Sequence, residues 1–141
     1  MYIIHSFLGF QHKIRGEPGK ALKMFQKALR IRRLADKAVD ERVADELINI
    51  SDIFLEQERL VEARANYEEA LGILRRLHGE KHPKVAYALK GIADILRRHD
   101  ESDEALEVYK KVLNIQRRVY GKDHPQVAQT FRKIQDWNHI D

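Results

Sequence analysis

The 141-residue chain contains no cysteine. That excludes disulfide frameworks and thiolate metal sites, and it leaves no reason to place the chain in an oxidising compartment. Three prolines and seven glycines are too few to punctuate a series of short strands. No apolar run approaches the roughly 18 to 20 residues needed to cross a bilayer. The opening MYIIHSFLGF is apolar, but it lacks a basic leading segment, is broken by His5 and Ser6, and precedes no small-residue cleavage pattern. It reads as a folded helix of a soluble, cytoplasmic, globular chain.

The motifs of catalysis are missing too. Ser6, Ser51 and Ser102 lie in no nucleophile elbow, and no glycine-rich phosphate loop occurs, so neither an enzyme nor a cofactor site is expected. His78 and His82 have a spacing that invites a metal. No acid or thiol is arranged with them, however, and a helix break falls between them. The simpler reading makes His82 and His124, each followed by proline, helix-capping residues. Glu68, Glu69, Glu104 and Glu107 read as solvated helix faces.

What the chain does have is charge, 34% of its residues, unevenly distributed. Residues 11–37 hold nine Lys and Arg against two acids, while residues 40–70 hold three against ten. The net charge of +4 therefore conceals a polarised molecule.

It also has a repeat. HGEKHPKVA and, 42 residues later, YGKDHPQVA share Gly, His-Pro and Val-Ala, and the same shift aligns the rest of the chain. Ala21, Ala63 and Ala105 coincide, as do Phe25, Tyr67 and Tyr109, then Leu29, Leu71 and Leu113. A second set comprises Val43, Val85 and Val127, then Ala44, Ala86 and Ala128, then Leu8, Ile50, Ile92 and Ile134. Both sets keep i, i+3, i+4, i+7 spacing, so each unit holds two amphipathic helices, A and B. Small residues one turn apart, as in Ala63, Tyr67 and Ala70, let two helices approach closely with the ring filling the gap. Gly79 and Gly121 end B helices, and Pro83 and Pro125 begin A helices. The first joint, LADKAVDERVA, lacks these signals and is either a continuous helix or one capped by Asp40.

This pattern of small and large positions resembles the tetratricopeptide repeat, carried in the middle unit by Leu47, Ile50, Ser51 and Phe54 on helix A and Ala63, Tyr67 and Ala70 on helix B. The usual repeat is about 34 residues. The 42-residue period and the phrases EALGILRRLHGEKHPKVAYAL and VLNIQRRVYGKDHPQVAQTF resemble the long-repeat subclass of the kinesin light chains. The resemblance implies an all-α, right-handed superhelical solenoid of antiparallel helix pairs whose A helices line a concave groove. Seven helices are predicted, over 1–15, 18–36, 40–57, 60–78, 83–99, 102–120 and 125–138. They form one domain over 1–141, with units at 1–40, 41–82 and 83–124 and a capping helix at 125–138, where Val127, Phe131, Ile134 and Trp137 cover the last seam.

The expected function is binding of a protein or peptide segment in the groove, with aromatic-acidic cargo motifs implied by the resemblance. The groove stripe comprises Ile3, Ser6, Phe10 and Lys13 on the first helix, Asp45, Ile48, Asp52 and Leu55 on the third, Tyr87, Lys90, Asp94 and Arg97 on the fifth, and Gln129, Arg132 and Asp136 on the seventh. Asn49, beside the stripe, is placed to hydrogen-bond a peptide backbone. A second reading is self-association to a homo-oligomer through Tyr2, Ile3, Ile4, Phe7 and Phe10 of the apolar first helix. In it the basic patch of Lys20, Lys23, Lys27, Arg30, Arg32 and Arg33 meets Asp45, Glu46, Glu62 and Glu69 of another copy. The apolar first helix is equally explained if the chain is a piece of a longer array. A third reading sends the basic second helix to nucleic acid, which the pI of about 9.3 permits but no motif supports.

Overall fold

The structure, a computed structural model, describes residues 2–34 and 41–137. The proposed cap at Asp40 and the roles given to the side chains of Tyr2 and Trp137 lie outside the described residues. Within them there are seven helices and no strand: α1 Tyr2–Ile14, α2 Pro18–Leu34, α3 Glu41–Glu56, α4 Leu60–His78, α5 Pro83–Arg98, α6 Ser102–Tyr120 and α7 Pro125–Trp137. The chain divides into two compact units, the first ending at Ile73 and the second beginning at Leu74. In the first, α1 packs on α2 and α2 on α3; in the second, α5 packs on α6 and α6 on α7.

The period seen in the sequence recurs in the backbone. The A helices α1, α3 and α5 are each followed by a left-handed residue, Gly16, Glu58 and Asp100, with φ of 72°, 59° and 58°. The next amide returns to a carbonyl of the last turn: Glu17 N–H donates to His12 C=O at 2.8 Å, Arg59 to Phe54 at 2.8 Å and Glu101 to Leu96 at 3.0 Å. This 6→1 closure satisfies a carbonyl that the helix end would otherwise leave open, and it reverses the chain within three residues. Only the joint after α1 uses glycine there.

The B-to-A joints are built as expected. Gly79 and Gly121 have positive φ, and Pro83 and Pro125 are the first residues of α5 and α7. His82 Nδ1 accepts from Lys84 N–H and His124 Nδ1 accepts from Gln126 N–H, each at 3.2 Å. Each capping ring also stacks on the aromatic that closes the preceding helix: His82 on His78 at 3.9 Å between centroids, His124 on Tyr120 at 4.2 Å.

The hairpins are held by rings reaching from B helices toward A helices. Phe25, Tyr67 and Tyr109 are fully buried. The Tyr67 hydroxyl donates to Asp52 and the Tyr109 hydroxyl to Asp94, each partner 15 residues back. In the first pair, the residue 15 back from Phe25 is Phe10, and the hydrogen bond is replaced by an edge-on ring contact at 5.1 Å and 79°. Phe25 also packs against Gly9, where an added Cβ would sit 2.7 Å from the ring.

Two surface expectations are corrected. Glu46 is buried on α3, where it accepts from Ser6 Oγ and lies 3.4 Å from Arg32 Nε. Ile48, expected on the groove, is buried as well. The opposed charge blocks meet within the chain where Arg33 grips both carboxylate oxygens of Glu69 at 2.8 and 2.9 Å, while Glu62 pairs locally with Arg59.

Two substitutions test this framework. Gly9→Ala is expected to destabilise by about 1 to 3 kcal/mol despite alanine's better helix propensity, because the Phe25 ring has to move. Glu58→Gly is expected to stabilise by about 0.5 to 1 kcal/mol by relieving left-handed strain. Urea denaturation followed by circular dichroism measures both, and either sign reversed would refute the packing described.

Candidate functional site

Apart from the buried Ile48, the predicted stripe residues lie on exposed or half-buried A-helix faces. In the second unit, α5 carries Tyr87, Lys90, Asp94 and Arg97, and α7 carries Gln129, Arg132 and Asp136. Two open depressions adjoin there. One of about 350 Å³ is lined by Asp94, Arg97, Arg98 and Lys133. The other, of about 380 Å³, is lined by Lys90, Gln129, Arg132, Lys133 and Asp136. Lys133 belongs to both, so they form one continuous face.

The electrostatics of that face follow from which charges are already engaged. Asp94 accepts from the Tyr109 hydroxyl and from Lys133 Nζ at 2.9 Å, and Lys133 Nζ also stands 5.5 Å from the Tyr109 ring centre. Burial, reinforced by the hydrogen bond to Asp94 and its charge, pushes the Tyr109 phenol well above its usual range. The hydroxyl therefore remains a donor at neutral pH, and Asp94 remains tied to the helix pair. The lining includes Lys90, Arg97, Arg98, Arg132 and Lys133 against Asp94 and Asp136. With Asp94 occupied, the face is cationic. Arg132 is exposed and pairs with no acid among the described residues. Tyr87, exposed one turn before Lys90, adds an aromatic surface.

The first unit is different. Lys13 on α1 and Asp45, Asn49 and Asp52 on α3 are all half-buried, and Asp52 is engaged by Tyr67. Of the apolar α1 residues, Ile3, Ile4 and Phe7 are exposed, whereas Phe10 is partly occupied by Phe25.

Sequence reasoning missed two participants. Arg98 follows the stripe residue Arg97 and completes the depression. Lys133 stands at the repeat position of Asn49, where it bonds Asp94 instead of facing outward. The signal for Asp52 and Asp94 was present, since an A-helix acid precedes a B-helix tyrosine by 15 residues in both later units.

Among the buried groups Glu46 stands out. Desolvation is the largest influence and raises its carboxyl above the ordinary value, against the opposing pull of Ser6 and Arg32. A carboxyl with a raised folded-state pKa contributes stability below its unfolded value, near 4.5, that is lost as pH rises through the folded value. Glu46→Gln, which retains an acceptor for Ser6, is therefore expected to match the native protein near pH 4 and to gain on it as pH rises from about 4.5 to 7. Urea midpoints across that range check this, and a midpoint that falls at pH 7 would refute it.

With this geometry in place, similarity to known proteins becomes informative. No curated protein matches the chain. The profile of the tetratricopeptide repeat family matches residues 42–118. Among solved structures, the chain is similar to BtubC (BKLC) from P. vanneervenii, with a TM-score of 0.89 and 25% identity over 98% of this chain and 55% of the other. It thus spans little more than half the length of that protein. A putative kinesin light chain with nearly identical TPR-like repeats from Podosopora anserina has a TM-score of 0.82 and 14% identity, over 94% of this chain and 63% of the other. The N-terminal domain of stress-induced protein-1 (STI-1) from C. elegans has a TM-score of 0.67 and 14% identity, over 95% of this chain and 94% of the other.

Proposed function

Because this chain belongs to the tetratricopeptide repeat family, we propose that it is a non-enzymatic, cytoplasmic interaction module that captures a short acidic or aromatic-acidic segment of a partner protein on the α5/α7 face. The tetratricopeptide fold itself marks a protein-protein interaction module, and no described helix is long and apolar enough to cross a membrane. The observation that carries the finer reading is the cationic face around Lys90, Arg97, Arg98, Arg132 and Lys133. These five cations line the face against two acids, Asp94 and Asp136, and Asp94 is held by Tyr109 and Lys133.

A carboxylate-bearing segment laid across this face meets guanidinium and ammonium donors in neighbouring depressions. Charge-assisted hydrogen bonds of this kind are shorter and stronger than neutral ones. Tyr87 offers an aromatic anchor at one edge, and Gln129 offers an amide for the segment's backbone. Charge selects the segment and speeds encounter, while buried apolar contact sets how long it stays.

The test is fluorescence anisotropy with labelled peptides containing Glu or Asp beside Trp or Tyr, compared with Lys-substituted controls. The native protein is expected to prefer the acidic peptides, and a Lys90→Glu, Arg132→Glu variant with unchanged helicity is expected to lose about tenfold or more in affinity. Equal binding by native and variant proteins, or no peptide bound at all, refutes the assignment.

A further inference from the structure

We infer that the α1/α2 end of the first unit is a second docking surface, separate from the α5/α7 face, and that it takes an amphipathic helix of a partner protein whose apolar stripe is bordered by carboxylates. The repeat supplies an internal comparison. Ile4 occupies the repeat position of Glu46, Ala88 and Thr130. Those three are 2%, 0% and 1% exposed, whereas Ile4 is 59% exposed. Leu8 shares a position with Ile50 and Ile92 and is likewise far more open than either.

The structure also shows what covers this position elsewhere. Glu46 on α3 lies against Arg32 of the preceding B helix, α2. Thr130 on α7 donates to Gln116 at 2.6 Å, at the equivalent place on the preceding B helix, α6. In both instances an A helix covers this position with the B helix before it, so a neighbour that covers Ile4 in the same way is helical. Because Ile4 stands where Glu46 and Thr130 are polar, the neighbour's facing residue is apolar.

Charge specifies its edge. Glu69 on α4 reaches back to Arg33 on α2, and the residue at the Glu69 position on α2 is Lys27. Lys20, Lys23, Lys27 and Arg30 share one exposed face of α2, and Lys23, Lys27 and Arg30 meet no acid among the described residues. At the first three of these positions α4 has Glu62, Ala65 and Glu69. A helix lying over Ile4 with basic residues toward Lys27 would add repulsion, whereas one with carboxylates there neutralises the row.

A second copy stacked in register does not supply this helix. At the other end of the chain α7 already packs on α6 as α3 packs on α2, so the place that α1 of another copy would take is filled. The exposed row on α2 also faces outward with one sign. The occupant is therefore a helix of different composition, bound by the helix-in-groove mode.

The experiment uses two synthetic helical peptides of roughly 18 residues, enough to run the length of α1, with one leucine stripe and either glutamates or lysines bordering it. The native chain is expected to bind the glutamate peptide about tenfold more tightly than the lysine peptide. A Lys23→Glu, Lys27→Glu variant, altered only at exposed positions, is expected to reverse that order, Ile4→Glu to abolish binding of both, and Arg132→Glu to change neither. Equal affinity for the two peptides overturns the inference. So does loss of binding in Arg132→Glu, which would place the peptide on the other face. A light-scattering mass of twice 16.6 kDa that Ile4→Glu restores to the monomer also overturns it, because the occupant is then a second copy.

Discussion

The contact on which the rest depends is the buried ring that each B helix extends toward its A helix. Phe25, Tyr67 and Tyr109 take the same place in successive hairpins. A ring this large requires a small residue opposite, and Gly9 shows how little room there is. Once the ring is seated, the rotation of both helices about their axes is fixed, because their apolar stripes must meet around it. The outward faces follow by subtraction. Which residues can bind a partner is therefore decided by a core contact that no partner touches.

The ring also determines which charges remain for binding. Its hydroxyl needs an acceptor when buried, and in the later hairpins the acceptor is an acid on the groove side of the A helix, Asp52 or Asp94. These carboxylates lie along the stripe but are held by the fold. The first hairpin avoids the requirement by using two phenylalanines, Phe10 and Phe25, in place of the acid and phenol. One repeat position thus carries a polar solution twice and an apolar solution once, and the apolar one helps make α1 the most hydrophobic A helix.

Helix pairing and helix ends were legible in the sequence because they depend on local rules. Proline after a capping His, glycine at a helix end and apolar spacing each act within a few residues, and the 42-residue shift confirms them twice over. The predicted ends fall within about two residues of those found, where they can be compared. The fate of individual polar residues was less legible. Glu46 looked like surface charge because it lies in an acidic block, yet its repeat position is buried in every later A helix, and Arg32 and Ser6 make the burial tolerable. Asp94 looked like a groove residue because its spacing was right. Its commitment to Tyr109 and Lys133 depends on partners 15 and 39 residues away, a separation that helical periodicity does not encode.

The two faces argued to bind differ in origin, and the difference follows from the repeat. The α5/α7 face is a regular product of stacking, with A-helix stripes set side by side and five cations to two acids in its lining. On the α1/α2 face, positions that are core in the later A helices, such as Ile4, are open, and Lys23, Lys27 and Arg30 of α2 meet no acid among the described residues. At the Ile4 position α7 has the polar Thr130, and a polar residue there on α1 would remove an apolar group from this exposed face. Solubility alone would favour that substitution, because an exposed apolar stripe beside a row of like charge stabilises nothing by itself. The retained combination is one that an acidic amphipathic helix satisfies in both respects at once, burying the isoleucine and neutralising the lysines.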